Sequence, residues 1–167
     1  VPISVAEGIS DEIITELAEP APPSMTAPNA IVGAAIEALN RAERPLVIAG
    51  VDAVTENAGD VLSQFCRQNA IPMITTYKGK GLLDESDPLS LGGHGLSPKA
   101  EKILLPFVKQ ADCVILAGYD PIEMRAGWRT PWADDATVIE ISPALRTHGM
   151  HRVNVTLRAA IEPALAQ

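Results

Sequence analysis

The sequence predicts a doubly wound, Rossmann-like α/β fold: a parallel sheet of about five to six strands with helices on both faces. Three observations carry that prediction. Continuous apolar runs recur at Leu46-Val47-Ile48-Ala49-Gly50, at Asp112-Cys113-Val114-Ile115-Leu116-Ala117-Gly118 and at Ala136-Thr137-Val138-Ile139-Glu140-Ile141. Runs without polar alternation belong to strands buried on both faces, as parallel strands are. Segments with apolar residues at helical spacing lie between them, and right-handed crossovers then put helices on both sides of the sheet.

The elements follow in order. Residues 1–5 read as a strand, and Ser10 caps a short amphipathic helix carrying Ile13, Ile14 and Leu17. Next comes Glu19-Pro20-Ala21-Pro22-Pro23-Ser24-Met25-Thr26-Ala27-Pro28, where dense proline fixes φ and removes amide donors, so an extended linker is expected. Residues 1–28 are therefore read as a linker segment from a preceding domain, and residues 29–167 as the compact domain. The chain starts at Val1 on that first strand, and we expect it to be cut from a longer polypeptide. Asn29 is a fair N-cap for a helix burying Ile31, Val32, Ala35, Ile36 and Leu39. The strand at 46–50 leads into a helix with Val61, Leu62, Phe65 and Cys66 on one side. A strand at 71–77 and a Gly-rich loop at 78–95 follow. Ser97 then caps a helix with Pro98 at its first position, and Pro106 should bend or end it. Strands at 112–118, 136–141 and 152–155 come next, and a terminal segment with Leu157, Ala160, Ile161 and Leu165 resembles a helix despite Pro163.

Composition bounds the function. With 167 residues, 47% hydrophobic and 20% charged, the chain fits one domain with a substantial core. A formal net charge of -8, without any run of Lys or Arg, repels nucleic acid and anionic membranes at long range, so neither is expected as a partner. No apolar run approaches the roughly 20 residues of a membrane span, and no leader pattern is present, so we expect a cytoplasmic protein. Cys66 and Cys113 fall on apolar segments, where free Cys behaves as a small hydrophobe.

In such sheets ligands bind beyond the carboxyl ends of the strands, so the informative loops follow Gly50, Tyr77, Gly118 and Ile141. None carries a complete motif. Around Gly79-Lys80-Gly81 a phosphate-binding P-loop would need Gly where Ile74 stands and Ser or Thr where Gly81 stands. A dinucleotide fingerprint from Gly79 would need its third Gly at Asp84. Gly95-Leu96-Ser97-Pro98-Lys99 ends in Lys rather than Gly, and Ser97 is better read as a helix cap than as a nucleophile. His148 and His151 are three apart but have no third ligand, which favours surface or interface histidines over a metal site. Asp134-Asp135 reads as a solvated turn. Trp128 and Trp132 either pack their loop down or meet a partner. The result is a nucleotide-binding type of fold with no catalytic residue and no metal ligand assigned.

The stretch Thr75-Thr76-Tyr77-Lys78-Gly79-Lys80-Gly81, then Asp87-Pro88-Leu89-Ser90-Leu91-Gly92 and Gly95, resembles the Thr-Thr-x-x-Gly-Lys-Gly … His-Pro-x-x-Leu-Gly-x-x-Gly pattern of the central domain of thiamine-diphosphate-dependent enzymes, the acetolactate synthase and 2-oxo acid decarboxylase family. Asp87 replaces the His. Arg44-Pro45-Leu46-Val47-Ile48-Ala49-Gly50 is similar to the family's first strand, and residues 111–118 to its Ala-Asp strand. Glu140-Ile141-Ser142-Pro143 stands where many members have Asp-Ile-Asp-Pro, and Tyr119-Asp120-Pro121-Ile122-Glu123 is closest to catabolic acetolactate synthases, which do not depend on FAD.

The resemblance implies a non-catalytic central domain between a pyrimidine-binding and a diphosphate-binding domain of the same chain. Residues 1–5 would be the last strand of the pyrimidine-binding domain. Thiamine diphosphate and magnesium would be bound outside this stretch, in a cytoplasmic homo-oligomer acting as transferase or lyase: a 2-oxo acid loses CO₂ and its carbanion passes on. The stretch alone would be inactive. Gly50, Thr75, Thr76, Gly92, Gly95, Gly118, Tyr119, Glu140 and Ile141 become candidates for a weak nucleotide site. Where FAD-holding members carry an Arg, this chain has Asp120, and a carboxylate there repels a pyrophosphate. That counts against FAD, although Glu140 is available for a ribose hydroxyl. Two alternatives stay open: a freestanding nucleotide- or flavin-binding protein, and an interaction module built on the Trp-bearing loop.

Overall fold

The computed structural model describes residues 29–144, 146 and 148–166. The expected first strand, the helix capped by Ser10 and the proline-rich linker lie outside the described residues. The described chain runs α1 (Asn29–Arg41), β1 (Pro45–Ala49), α2 (Val51–Thr55), α3 (Gly59–Asn69), β2 (Met73–Thr76), β3 (Ser90–His94), α4 (Pro98–Val108), β4 (Cys113–Ala117), two 3₁₀ turns (Pro121–Glu123 and Ala126–Trp128), β5 (Thr137–Ile141), β6 (Val155–Leu157) and α5 (Ile161–Leu165).

The strands form one six-stranded sheet in the order β3-β2-β1-β4-β5-β6, and every pairing is parallel. Strand alternation divides the core between the two faces. Val47, Ala49, Met73, Cys113, Ile115, Ile139 and Ile141 pack on one side against residues of α1, α3 and α5. Leu46, Ile48, Ile74, Val114, Leu116 and Val138 pack on the other against Val108 of α4 and the side chains of Tyr119, Trp128 and Trp132. Both faces of the central strands are thus dry, which accounts for the unbroken apolar runs of β1 and β4.

Several boundaries depart from expectation, each for a local reason. The loop expected at 78–95 contributes the edge strand β3, whose Ser-Leu-Gly-Gly-His sequence carries two glycines and little β-propensity. Pairing with β2 makes it a strand, across a register shift between Met73 and Thr75. The strand expected at 152–155 sits three residues later, at Val155–Leu157. Asn154 accounts for the shift: its side-chain oxygen accepts from Val138 N at 2.9 Å, a bond that a backbone carbonyl would make in a regular ladder. Leu157 accordingly belongs to β6 and not to the terminal helix. Pro106 does not end α4; the helix continues two residues past it to Val108, and Ser97 caps its start by accepting from Ala100 N at 3.4 Å. Asn29 lies within α1 rather than capping it. Ile36 is 43% exposed because the buried stripe of α1 centres on Ala35. Among the described residues no helix is long and apolar enough to cross a membrane.

Candidate functional site

β1 and β4 are neighbours, yet the chain leaves β1 toward β2 and β3 and leaves β4 toward β5 and β6. Their carboxyl ends therefore form the topological switch point where sheets of this kind open a crevice. Here the two turns meet. Gly50 N donates to Ala117 O at 2.9 Å, Asp52 N donates to Gly118 O at 3.2 Å, and Gly118 N donates to Ile141 O at 2.8 Å, so hydrogen bonding continues past the strand ends. A Cβ on Gly50 would lie 2.4 Å from Gly118 O, and one on Gly118, whose φ is +59°, would lie 2.6 Å from Ala53 N. Glycine at these two positions is what allows the backbones to touch.

The turn after β4 is organised by a capping box. Asp120 accepts from Ile122 N at 3.0 Å, and Glu123 Oε1 reaches back to Asp120 N at 3.3 Å. The same Oε1 accepts from Val51 N, at the start of α2, at 3.2 Å, while Oε2 accepts from the Thr76 hydroxyl at 2.7 Å. One carboxylate thus joins the turns that follow β1, β2 and β4. Tyr119 is fully buried and its hydroxyl donates to Trp128 O. Burial, with Glu123 and Asp120 adding to it, holds the phenol far above its ordinary pKa, so it stays a neutral donor.

The glycine-lysine loop after β2 is explained by close approach. Thr76 Oγ1 accepts from Gly79 N at 3.1 Å, and a Cβ on Gly79 would lie 2.9 Å from Ala49 O. Thr75 donates to Gly92 O at 3.4 Å. Gly95, at φ +118°, leaves room for Met124, whose Cγ would be 2.6 Å from an added Cβ. Asp87, where the family pattern has His, accepts from Leu89 N at 2.9 Å and from Arg67 Nε at 2.8 Å. Those two donors hold its carboxyl below the usual carboxylate range.

Beside the switch point, the segment after β5 brings charge back over the sheet edge. The Arg146 guanidinium bridges Asp120, at 2.6 Å, and Asp52. Glu140 Oε1 is 2.8 Å from His151 Nε2, with the two side chains 6% and 3% exposed. Tyr119 and Trp132 contact the His151 ring edge-on, with centroids at 5.9 and 6.4 Å, and the His148 ring lies tilted against it at 5.8 Å. A polar cleft of about 270 Å³ opens between Glu140, Arg146, His148, His151 and Thr156. Of the two histidines expected at the surface or at an interface, His148 is exposed, whereas His151 is half-buried with its side chain turned inward, away from solvent. Trp128 and Trp132, 0% and 4% exposed, pack their loop down, so their side chains are not a free docking surface. Among the described residues no group of three His, Cys, Asp or Glu side chains is arranged to hold a metal ion.

Seven of the nine candidates, Gly50, Thr75, Thr76, Gly118, Tyr119, Glu140 and Ile141, sit at or next to the carboxyl edge of the sheet. Gly92 and Gly95 belong to the edge strand β3 and the turn after it. Sequence reading missed Glu123, Arg146 and His151 as partners. The Asp120-Pro121-Ile122-Glu123 spacing, a capping box with Pro at the first helical position, was a legible signal for Glu123. Arg146 and His151 had none, because their partners are far away in sequence.

Residues 32–167 match the family described as thiamine pyrophosphate enzyme, central domain. The chain belongs to that family. This central domain is 33% identical over 128 residues to the acetolactate synthase large subunit of Parasynechococcus marenigrum (strain WH8102), covering 75% of this chain and 20% of that protein. It is 30% identical over 134 residues to oxalyl-CoA decarboxylase of Escherichia coli (strain K12), covering 78% and 22%. The fold matches benzoylformate decarboxylase from Polynucleobacter necessarius with a TM-score of 0.65 at 17% identity, over 99% of this chain and 30% of that one. The central domain thus spans about a fifth of the length of the curated relatives it matches.

Proposed function

We propose that this chain is the non-catalytic central domain of a thiamine-diphosphate-dependent, acetolactate synthase-like enzyme that decarboxylates a 2-oxo acid and transfers the resulting two-carbon or acyl unit. Its role is to brace a pyrimidine-binding and a diphosphate-binding domain of the same chain, joined on one side through the linker at 1–28, within a homo-oligomer. The observation that carries this reading is the placement of three exposed apolar side chains. Tyr77, Leu96 and Ile122, which are 59%, 52% and 71% exposed, stand on the loops after β2, β3 and β4, all at the carboxyl edge of the sheet. Such an edge suits a protein neighbour better than water.

Thiamine diphosphate, with magnesium, supplies the electron sink for decarboxylation when bound. No Gly-Asp-Gly sequence occurs in this chain, and the family resemblance puts the acidic residue that would activate the cofactor in the pyrimidine-binding domain, so both are assigned to the flanking domains. FAD is not assigned. The candidates Gly50, Gly118, Thr76 and Tyr119 serve the contacts between turns described above, and Glu140 serves His151. Gly92 and Gly95 shape β3 and its turn.

The test is made on the full-length protein. With thiamine diphosphate, magnesium and a panel of 2-oxo acids it should release CO₂, and residues 1–167 expressed alone should release none. An open reading frame lacking a Glu in an upstream pyrimidine-binding domain, or Gly-Asp-Gly…Asn downstream, would refute the assignment.

A further inference from the structure

We propose that Glu123 is a built-in occupant of the switch-point crevice. Its carboxylate takes the position that the diphosphate of a dinucleotide holds in other sheets of this order, and it staples three turns so that the domain assembles without a nucleotide. This rests on the flavin-free reading above and adds a residue and a role to it.

A dinucleotide needs three things at a switch point: free amide donors at the turn after the first strand, space between that turn and the one after the neighbouring strand, and a local field that tolerates negative charge. Each is already used. The amide of Val51, which opens α2, and the amide of Asp120 both donate to Glu123 Oε1, at 3.2 and 3.3 Å. The space is closed by backbone, since Asp52 N bonds Gly118 O at 3.2 Å and Gly50 has room for a hydrogen only. Among the described residues the local field is set by the carboxylates of Asp52, Asp120 and Glu123 against the guanidinium of Arg146, with the His148 ring 3.4 Å from Asp120, and with His148 neutral this leaves an excess of negative charge facing any incoming phosphate. Thr76 completes the staple by donating to Glu123 Oε2 at 2.7 Å, which ties β2 to the same point.

Glu123 is thus a positioning residue: it acts on the turns after β1, β2 and β4 and on no substrate. A carboxylate accepting from two amides and a hydroxyl has the valence that a bound phosphate oxygen would otherwise supply, so its removal should release those donors rather than merely leave a hole.

The experiment uses the full-length protein in three forms, wild type, Glu123→Ala and Glu123→Asp, read by amide hydrogen exchange and by calorimetric titration with ADP and with FAD. Wild type should show slow exchange at Val51 and Asp120 and no binding heat with either nucleotide. In Glu123→Ala both amides should exchange at least about tenfold faster, as expected when one charge-assisted acceptor is lost. Glu123→Asp keeps the charge but is one methylene short, so at least one of the two amides should speed up; this variant decides the question if the alanine protein does not fold. Stoichiometric binding of ADP or FAD by wild type overturns the proposal, as does unchanged exchange at both amides in the variants. Loss of decarboxylase activity with these signatures intact would fault the assigned reaction and leave the role of Glu123 standing.

Discussion

Glu140 at the carboxyl end of β5 and His151 in the segment that returns to the sheet share a hydrogen bond of 2.8 Å with almost no solvent at either side chain. The pair pins the segment after β5 against Tyr119 and Trp132, and so links the sheet edge to the aromatic core beneath it. Removing one partner strands the other in a dry place. Glu140→Ala is expected to destabilise the domain by about 2 kcal/mol, with His151→Ala costing a similar amount. The double variant should cost clearly less than the sum, and a urea-denaturation double-mutant cycle with no coupling would contradict the contact.

Two glycines predict opposite outcomes for the same substitution. Gly50→Ala places a Cβ 2.4 Å from Gly118 O, a clash with backbone that neither turn can relieve by a rotamer change, so a loss of about 3 kcal/mol or failure to fold is expected. Gly33 lies in α1 with nothing within 4 Å of an added Cβ. Gly33→Ala should therefore stabilise by up to about 1 kcal/mol through helix propensity. Thermal melts of the two variants should move in opposite directions from wild type.

The same contrast shows what the sequence could and could not reveal. The central strands were legible because burial on both faces writes itself as an unbroken apolar run, and Ser97 was legible as a cap because its partner amide is three residues away. The strand β3 was not, since Ser90-Leu91-Gly92-Gly93-His94 becomes a strand through its neighbour β2 rather than through its own propensity. The candidate residues fell mostly on the correct edge of the sheet because the carboxyl-end rule depends on topology alone. Their partners did not follow, because Arg146 meets Asp52 across 94 positions and Glu123 meets Val51 across 72.

Tyr119 and Trp128 form the inner support of the turn after β4. Tyr119→Phe removes one buried hydroxyl that donates to Trp128 O and keeps the ring, so a loss of about 1–2 kcal/mol is expected. Trp128→Ala empties a fully buried site and should cost about 3–5 kcal/mol. Urea midpoints would check both; equal losses would mean that the hydroxyl contributes as much as the packing at this corner.

Cys66 and Cys113 should be chemically silent in the folded protein. Burial pushes the Cys66 thiol up to about 12, with Asp87 adding to the effect, and pushes Cys113 up to about 11. Both are free and buried, so almost no thiolate is present at neutral pH and no reagent reaches it. Labelling with a thiol reagent should be negligible until denaturant is added, and then both residues should react. Rapid labelling of either in the native state would show that the helix α3 or strand β4 opens locally.

Asp112, just before β4, ties down the entry to β1 by accepting from Glu43 N and Arg44 N, each at 2.9 Å. Burial pushes its pKa up, but these two amides and the Arg44 charge more than offset it, and the carboxyl is held below its ordinary value. A folded-state pKa below the unfolded one means that the folded chain holds its proton less tightly. The contribution to stability is therefore fully present above the unfolded value of about 3.9 and is lost as the pH falls through the folded one. Asp112→Asn keeps one acceptor oxygen and removes the charge, so at neutral pH it should cost about 1 kcal/mol, a modest amount for a partly exposed group. As the pH falls below the unfolded value of about 3.9 and on through the lower folded one, the wild-type carboxyl takes up its proton, and the gap between the two proteins should narrow. Urea melts at pH 7 and near pH 3 test the sign: a gap that stays the same on acidification would mean that the anchoring of β1 to β4 at this point does not depend on the charge of Asp112, and one that widens would reverse the sign.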